Sequence, residues 1–338
     1  MTKQDKIRDF DVNALATNPT LYGLPFTEEE SEVIVIPVPW QVTVSYGDGT
    51  MDGPQAVLKA SAQVDIFDRT NPDFWQKGIF MINEPEHLRN LSLELRALAE
   101  KHIAALENEE TPNPEWKLAV DKGCMQMNQW VESTVSHYIS LGKKVILLGG
   151  DHSTPLGMFR AMKKHHSSYG ILQIDAHADL RNAFEGFTYS HASITYNALQ
   201  ENLASSFTLL GIRDFCRDEF LLGENDERIN IFYDRDVQFG LLSGKTWKSI
   251  CDEVISTLPE KVYITFDIDG LDPRFCPNTG TPVAGGYTPD QILFLVGSIL
   301  KSGRSIIGFD INEVGVSDDE WDANVAARLL FQLSSLIY

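Results

Sequence analysis

Largely apolar runs of strand length recur through the chain, separated by longer amphipathic stretches, and this alternation narrows the fold more than any other feature. The runs are Val33–Val38, Ile79–Ile82, Val145–Leu148, Ile171–Ile174, Thr208–Gly211, Asn230–Tyr233, Val262–Phe266 and Ile306–Ile311. Helical periodicity marks Gly53–Gln63, Pro155–His165, Trp247–Leu258, Pro289–Lys301 and Asp322–Leu336. Strands without polar alternation are buried on both faces, which suits a parallel sheet between two helical layers. The expected fold is an α/β three-layer αβα sandwich with a mostly parallel sheet of about eight strands. At 338 residues the chain reads as a single domain, 1–338.

One region breaks the alternation. From about 85 to 141 the pattern is helical, interrupted only by Asn108-Glu109-Glu110-Thr111-Pro112-Asn113-Pro114. This predicts a helical insertion of two long helices joined by a proline-stiffened turn. Its simplest role is an enlarged outer layer; covering an oligomer interface or narrowing the mouth of a site are the alternatives.

Three of the strand-like runs end in acidic, histidine-containing or paired-aspartate segments: Gly149-Gly150-Asp151-His152, Asp175-Ala176-His177-Ala178-Asp179 and Asp267-Ile268-Asp269. Side chains two apart on an extended chain point the same way, so Asp175, His177 and Asp179 can converge, as can Asp267 and Asp269. Sites of open parallel sheets lie beyond the carboxyl ends of the strands, where all three segments fall. Gathering carboxylates there is costly without cations. Two imidazoles and four carboxylates form a hard ligand set that suits manganese, with nickel, cobalt, iron or zinc as alternatives. Six ligands exceed what one catalytic ion needs, and they fit two ions roughly 3.5 Å apart. Two divalent ions balance the four aspartates, and a bridging hydroxide leaves the cluster near −1, a charge that attracts a cation and retains a nucleophile.

The net charge of −20 argues against a nucleic-acid partner; a small cationic substrate fits that field better, although strong acidity more often serves only solubility. No apolar stretch reaches membrane-span length, and Met1-Thr2-Lys3-Gln4-Asp5 lacks the apolar core of a signal peptide. Cys124, Cys216, Cys251 and Cys276 are scattered, the pattern of reduced thiols in a cytoplasmic protein. Lys163-Lys164-His165-His166 reads as a solvated helix end, and His87, His102 and His137 as surface or packing residues of the insertion. Asp151, next to His152, is expected to hydrogen-bond around the site rather than bind metal.

At these residues the chain resembles the ureohydrolases, the family of arginase and agmatinase. The resemblance rests on Gly149-Gly150-Asp151-His152-Ser153, Asp175-Ala176-His177-Ala178-Asp179, Phe266-Asp267-Ile268-Asp269-Gly270-Leu271-Asp272-Pro273, Thr279-Gly280-Thr281-Pro282, Gly285-Gly286 and Gly308-Phe309-Asp310-Ile311-Asn312-Glu313-Val314. It implies a manganese-dependent hydrolase that splits a guanidino compound to urea and an amine by attack of a metal-bridging hydroxide. It implies His152 and Asp179 on one ion, His177 and Asp269 on the other, and Asp175 and Asp267 bridging. His191, in Tyr189-Ser190-His191, would shuttle protons; Asp179 would protonate the leaving amine; Glu313 would orient the guanidinium. Relatives imply a homo-oligomer, trimer or hexamer.

Tyr189-Ser190-His191-Ala192-Ser193 and Asp310-Ile311-Asn312-Glu313 look most like agmatinases, and the arginase loop that grips an α-amino acid is not recognisable after Asp179. Agmatine is therefore the favoured substrate. Two departures stand against it. Arg181 resembles a formimidoylglutamase arginine that can hold a substrate carboxylate, or else pairs with Glu185 or another surface acid. Ser45-Tyr46-Gly47-Asp48-Gly49-Thr50 lacks the arginine usual in agmatinases before Gly-Thr. Guanidinobutyrate, guanidinopropionate and free guanidine are the further alternatives. Outside this activity stand a one-zinc deacetylase, which needs fewer ligands, and a metal-binding pseudoenzyme, which would be expected to have lost one.

Overall fold

Eight strands form one sheet in which every neighbouring pair is parallel. The computed structural model describes residues 1–338. The strands are β1 (Val33–Pro37), β2 (Ile79–Met81), β3 (Lys144–Leu148), β4 (Gly170–Ile174), β5 (Ser206–Ile212), β6 (Ile229–Tyr233), β7 (Lys261–Asp267) and β8 (Ser305–Asn312). The helices are α1 (Lys3–Asp9), α2 (Gly53–Ser61), α3 (Glu86–Glu107), α4 (Pro114–Ser140), α5 (Leu156–His165), α6 (Ile194–Gln200), α7 (Arg217–Asn225), α8 (Asp234–Leu242), α9 (Trp247–Ser256), α10 (Pro289–Lys301) and α11 (Trp321–Ile337).

Alternate residues of each strand feed two hydrophobic clusters, one on each face. Val33, Val35, Ile146 and Leu148 pack with Val57, Ile250, Ile292 and Leu329 of α2, α9, α10 and α11. Ile34, Ile36, Val145 and Leu147 pack with Leu95, Val131, Met158 and Ala198 of α3, α4, α5 and α6. This is the three-layer sandwich read from the sequence. Helix starts follow local chemistry: Asn113 caps α4 by accepting from Glu115 N, and Thr288 with Gln291 forms a capping box on α10. No helix is long and apolar enough to cross a membrane.

The strand order is β2-β1-β3-β8-β7-β4-β5-β6, so the last two strands of the chain fill the gap between β3 and β4. Register then aligns the four central strands. Leu148 pairs with Ile311, Ile311 with Phe266, and Phe266 with Ile174. One step further along that row stand Gly149, Asn312, Asp267 and Asp175, which begin the acidic segments and the turn to Glu313.

Candidate metal centre and substrate cavity

The turn after β3 is possible only with glycine. A Cβ on Gly150 would collide with the carbonyl of Trp40, to which Asp151 N donates a 2.8 Å hydrogen bond. This close approach sends His152 back over the sheet, fully buried. His152 Nδ1 lies 3.0 Å from Asp175 Oδ2, 3.1 Å from Asp179 Oδ2 and 3.4 Å from Asp267 Oδ2. His177 Nδ1 lies 3.0 Å from Asp269 Oδ2 and 3.5 Å from Asp175 Oδ1. Two groups able to hold an ion result, His152-Asp175-Asp267 and Asp175-His177-Asp269. Asp175 belongs to both; of the two aspartates expected to bridge, Asp267 turns its Oδ2 toward His152.

Backbone hydrogen bonds aim these carboxylates. Asp175 Oδ1 accepts from His177 N at 2.6 Å, Asp269 Oδ1 from Ala176 N at 2.9 Å, and Asp267 Oδ1 from Asp269 N at 2.8 Å. Their Oδ2 atoms face the cluster, that of Asp175 also accepting from Gln173 Nε2 at 2.9 Å. Asp179 reaches it through a left-handed backbone, φ 53°, an uncommon conformation for a residue other than glycine. Glu313 does the same at φ 60°, with its Oε1 accepting from His152 N at 2.9 Å.

The donor set passes a chemical test for cations. His152 Nδ1 is buried within reach of three carboxylate oxygens yet makes no hydrogen bond of normal geometry to any of them. Atoms arranged around a common point, rather than along an N–H axis, suit a coordinated ion. The opposite nitrogen, Nε2, is held 2.9 Å from Thr265 Oγ1, which in turn donates to Asp310 Oδ1 at 2.9 Å. Such an outer contact fixes the ring of a metal-binding histidine.

Without an ion, protons must fill the cluster. Burial opposes a charge on His177, but the Asp269 and Asp175 carboxylates raise it to about 12. Burial likewise opposes a charge on His152, and Asp175, Asp179 and Asp267 still raise it well above the ordinary imidazole range. Burial would raise Asp175, yet the two imidazoles hold it far below the carboxylate range. Asp179 is pushed up to about 7, by burial first and then by the charge of Asp175. Burial and the neighbouring Asp151 push Glu313 up as well.

A cavity of about 160 Å³ opens onto the cluster, lined by Ser45, His152, His177, Asp179, Arg181, Phe184, His191, Ala192, Asp214, Glu219, Asp267, Thr281 and Glu313. The nine residues singled out from the sequence thus lie at one place, seven of them lining this cavity and Asp175 and Asp269 beneath it. His191 Nδ1 lies 3.3 Å from Thr43 Oγ1, and burial, then the positive His177 and His152, lower it to about 3. Arg181 pairs not with Glu185 but with buried Glu219, at 3.5 Å, and its guanidinium lies 4.8 Å from the centre of the Phe184 ring.

Thr43, Thr265, Asp214 and Glu219 were absent from the sequence reading. Thr265 sits inside a strand run and alternates onto the side of Asp267, a signal available from period two alone. Asp214 and Glu219 follow β5, a strand carrying none of the acidic segments, and only the sheet order brings them to the cavity. His102, expected as a surface or packing residue, is buried, with Nε2 3.0 Å from the carbonyl of Glu185. Asp151 accepts from Val42 N at 3.2 Å and Ser153 N at 3.0 Å, hydrogen-bonding around the site.

Comparison with known proteins gives a consistent result. A model of the Arginase family matches residues 31–335. An N(1)-aminopropylagmatine ureohydrolase of Synechocystis is 30% identical over 289 residues, 84% of this chain and 82% of its own length. An agmatinase of Cronobacter sakazakii is 32% identical over 214 residues, 62% of this chain and 65% of its own. Among solved structures, the agmatine ureohydrolase of Thermoplasma volcanium superposes with a TM-score of 0.70 at 24% identity, covering 98% of this chain and 97% of that one, a likeness of fold.

Proposed function

The chain belongs to the arginase family, and from that premise we propose that it hydrolyses a guanidino compound to urea and an amine at a two-metal site. The observation that carries the reading is the pair of histidine–carboxylate groups sharing Asp175. Residues His152, Asp175, His177, Asp179, Asp267 and Asp269 would hold two divalent ions, manganese by the hardness of the set. Once bound, such ions polarise the substrate and bring a water's pKa toward neutrality.

The chain's own residues do the rest. Glu313, in the cavity wall and pinned by His152 N, presents a carboxylate to the guanidinium, whose planar fork it can bind through paired hydrogen bonds. Holding the guanidinium there replaces a bimolecular encounter with a fixed approach. Asp179, in the cavity wall beside His152, would pass a proton to the departing amine nitrogen. His191 lines the same cavity beside Thr43 and would relay a proton between the site and solvent.

For the substrate we favour agmatine, a guanidinium carrying an amine and no α-carboxylate. Arg181 has its charge matched by Glu219, which weighs against its holding a substrate carboxylate as a formimidoylglutamase would. Asp214, largely exposed at the rim and 3.9 Å from His177 Nε2, offers a carboxylate toward a distal ammonium. The test is urea release from agmatine, aminopropylagmatine, guanidinobutyrate, guanidinopropionate and guanidine, and formamide release from formiminoglutamate, with manganese and then nickel. Agmatine should give the highest kcat/KM; a preference for a carboxylate-bearing substrate would replace this reading, and no product from any would end it.

A further inference from the structure

The α3–α4 hairpin touches both loops that wall the cavity. On the first loop, Ser92 Oγ of α3 accepts from Gln41 N at 2.9 Å, and the Arg96 guanidinium donates to the carbonyls of Val42 and Val44, on either side of Thr43. On the second, Asp121 of α4 accepts twice from Thr188, from its N at 2.8 Å and its Oγ1 at 2.9 Å. Lys117 Nζ, one helical turn earlier, holds the Asp121 carboxylate at 2.6 Å. His102 of α3 meets the carbonyl of Glu185 on the same loop.

The two loops join each other at one contact. His191 N donates to Thr43 Oγ1 at 3.2 Å, and the ring nitrogen Nδ1 lies 3.3 Å from the same oxygen. Thr188 stands three residues before His191, and Arg96 brackets Thr43, so the hairpin grips both sides of that contact. The second loop needs such a grip. Ala183 and Glu185 are left-handed, φ 52° and 53°, conformations that persist in residues other than glycine only where the surroundings enforce them.

We infer that the α3–α4 hairpin is a brace that sets the position of His191, with Arg96 and Asp121 as its positioning residues. The inference rests on the reading of His191 as proton relay for the hydrolysis. It gives the helical insertion a task that an enlarged outer layer would not have: two surface loops far apart in sequence are referred to one rigid element, and a side chain that moves protons is fixed where they meet.

The test combines amide hydrogen exchange with turnover, on the metal-loaded enzyme. In Asp121→Ala the Thr188 amide and its loop should exchange at least tenfold faster at unchanged metal content. The kcat should fall about tenfold, since a shift of about 1 Å can cost roughly 100-fold. Asp121→Asn, whose amide oxygen can still accept from Thr188 N, should recover most of both. In a His191→Ala background, Asp121→Ala should cost no further turnover, because the residue it positions is gone. Arg96→Ala serves as a second probe should Asp121→Ala fold poorly: the amides around Thr43 should exchange faster and kcat should fall, again only while His191 is present. Unchanged loop exchange, or an equal loss of kcat with and without His191, overturns the brace. Faster loop exchange in Asp121→Ala, in a protein that releases urea from no guanidino compound, supports the mechanical brace and removes the hydrolase reading.

Discussion

His152 Nε2 lies 2.9 Å from Thr265 Oγ1, and this contact turns the opposite nitrogen, Nδ1, onto the carboxylates of Asp175, Asp179 and Asp267. Thr265 also donates to Asp310 Oδ1, which receives Phe266 N at 3.2 Å and Asn312 Nδ2 at 2.5 Å. The chain of contacts runs across β7 and β8 beneath the site. Thr265→Val keeps the shape of the side chain and removes the hydroxyl. It should weaken metal binding about 10- to 100-fold while the fold persists. Titrating metal-depleted variant and wild type with manganese checks this; equal affinities would show that the ring is fixed by packing alone.

Metal binding should release protons. Carboxylates hold His177 protonated up to about 12 and His152 well above its ordinary range when no ion is bound. An ion must displace those protons, so affinity rises with pH through the neutral range and falls as the solution is acidified. Calorimetric titrations near pH 7.5 in buffers of different ionisation enthalpy report the number released. A value near zero would mean that the histidines are already deprotonated and the charge assignment is wrong.

Glu313→Gln keeps a hydrogen-bond acceptor but loses the charge that meets the guanidinium. Loss of a charge-assisted contact of this kind costs roughly 1.5–3 kcal/mol, so kcat/KM should drop about 10- to 100-fold with both metals retained. A variant with normal kcat/KM would take Glu313 out of substrate binding.

His191 makes the folded protein sensitive to acid. Burial and the neighbouring positive imidazoles lower it to about 3, against about 6.5 in an unfolded chain. Between those values the unfolded state binds more protons, so this residue's contribution to stability is present above pH 6.5 and is lost as pH falls toward 3. Urea unfolding of the metal-free protein from pH 7 down to 4 should show a shallower loss in His191→Asn than in wild type. Matching slopes would contradict the assigned state of His191.

Much of this was legible in the residues before the structure was known. Val145–Leu148, Ile171–Ile174 and Val262–Phe266 read as strands because both faces of each are buried, and the acidic segments after them read as site because strand ends are where open sheets place their chemistry. The helices α6, α7 and α8 were not legible. The first is seven residues long, too short for a period to emerge, and α7 buries only Glu219. The left-handed backbone at Asp179 and Glu313 carries no sequence signal either, since few residues other than glycine adopt it and neither position is a glycine. The hairpin's grip on Thr188 and Thr43 depends on contacts between segments more than 50 residues apart, such as Arg96 to Val42 at a separation of 54. Only tertiary packing decides which polar residues of an amphipathic helix meet a loop and which meet water.

The most direct test of the two-metal hydrolase is urea formation from agmatine as metal-depleted enzyme is titrated with manganese. The account predicts that activity climbs until two equivalents are bound per chain and that Asp175→Asn, which alters the one carboxylate shared by both groups, neither binds two ions nor turns over. Full activity at a single equivalent, or two tightly bound ions and normal turnover in Asp175→Asn, would contradict it.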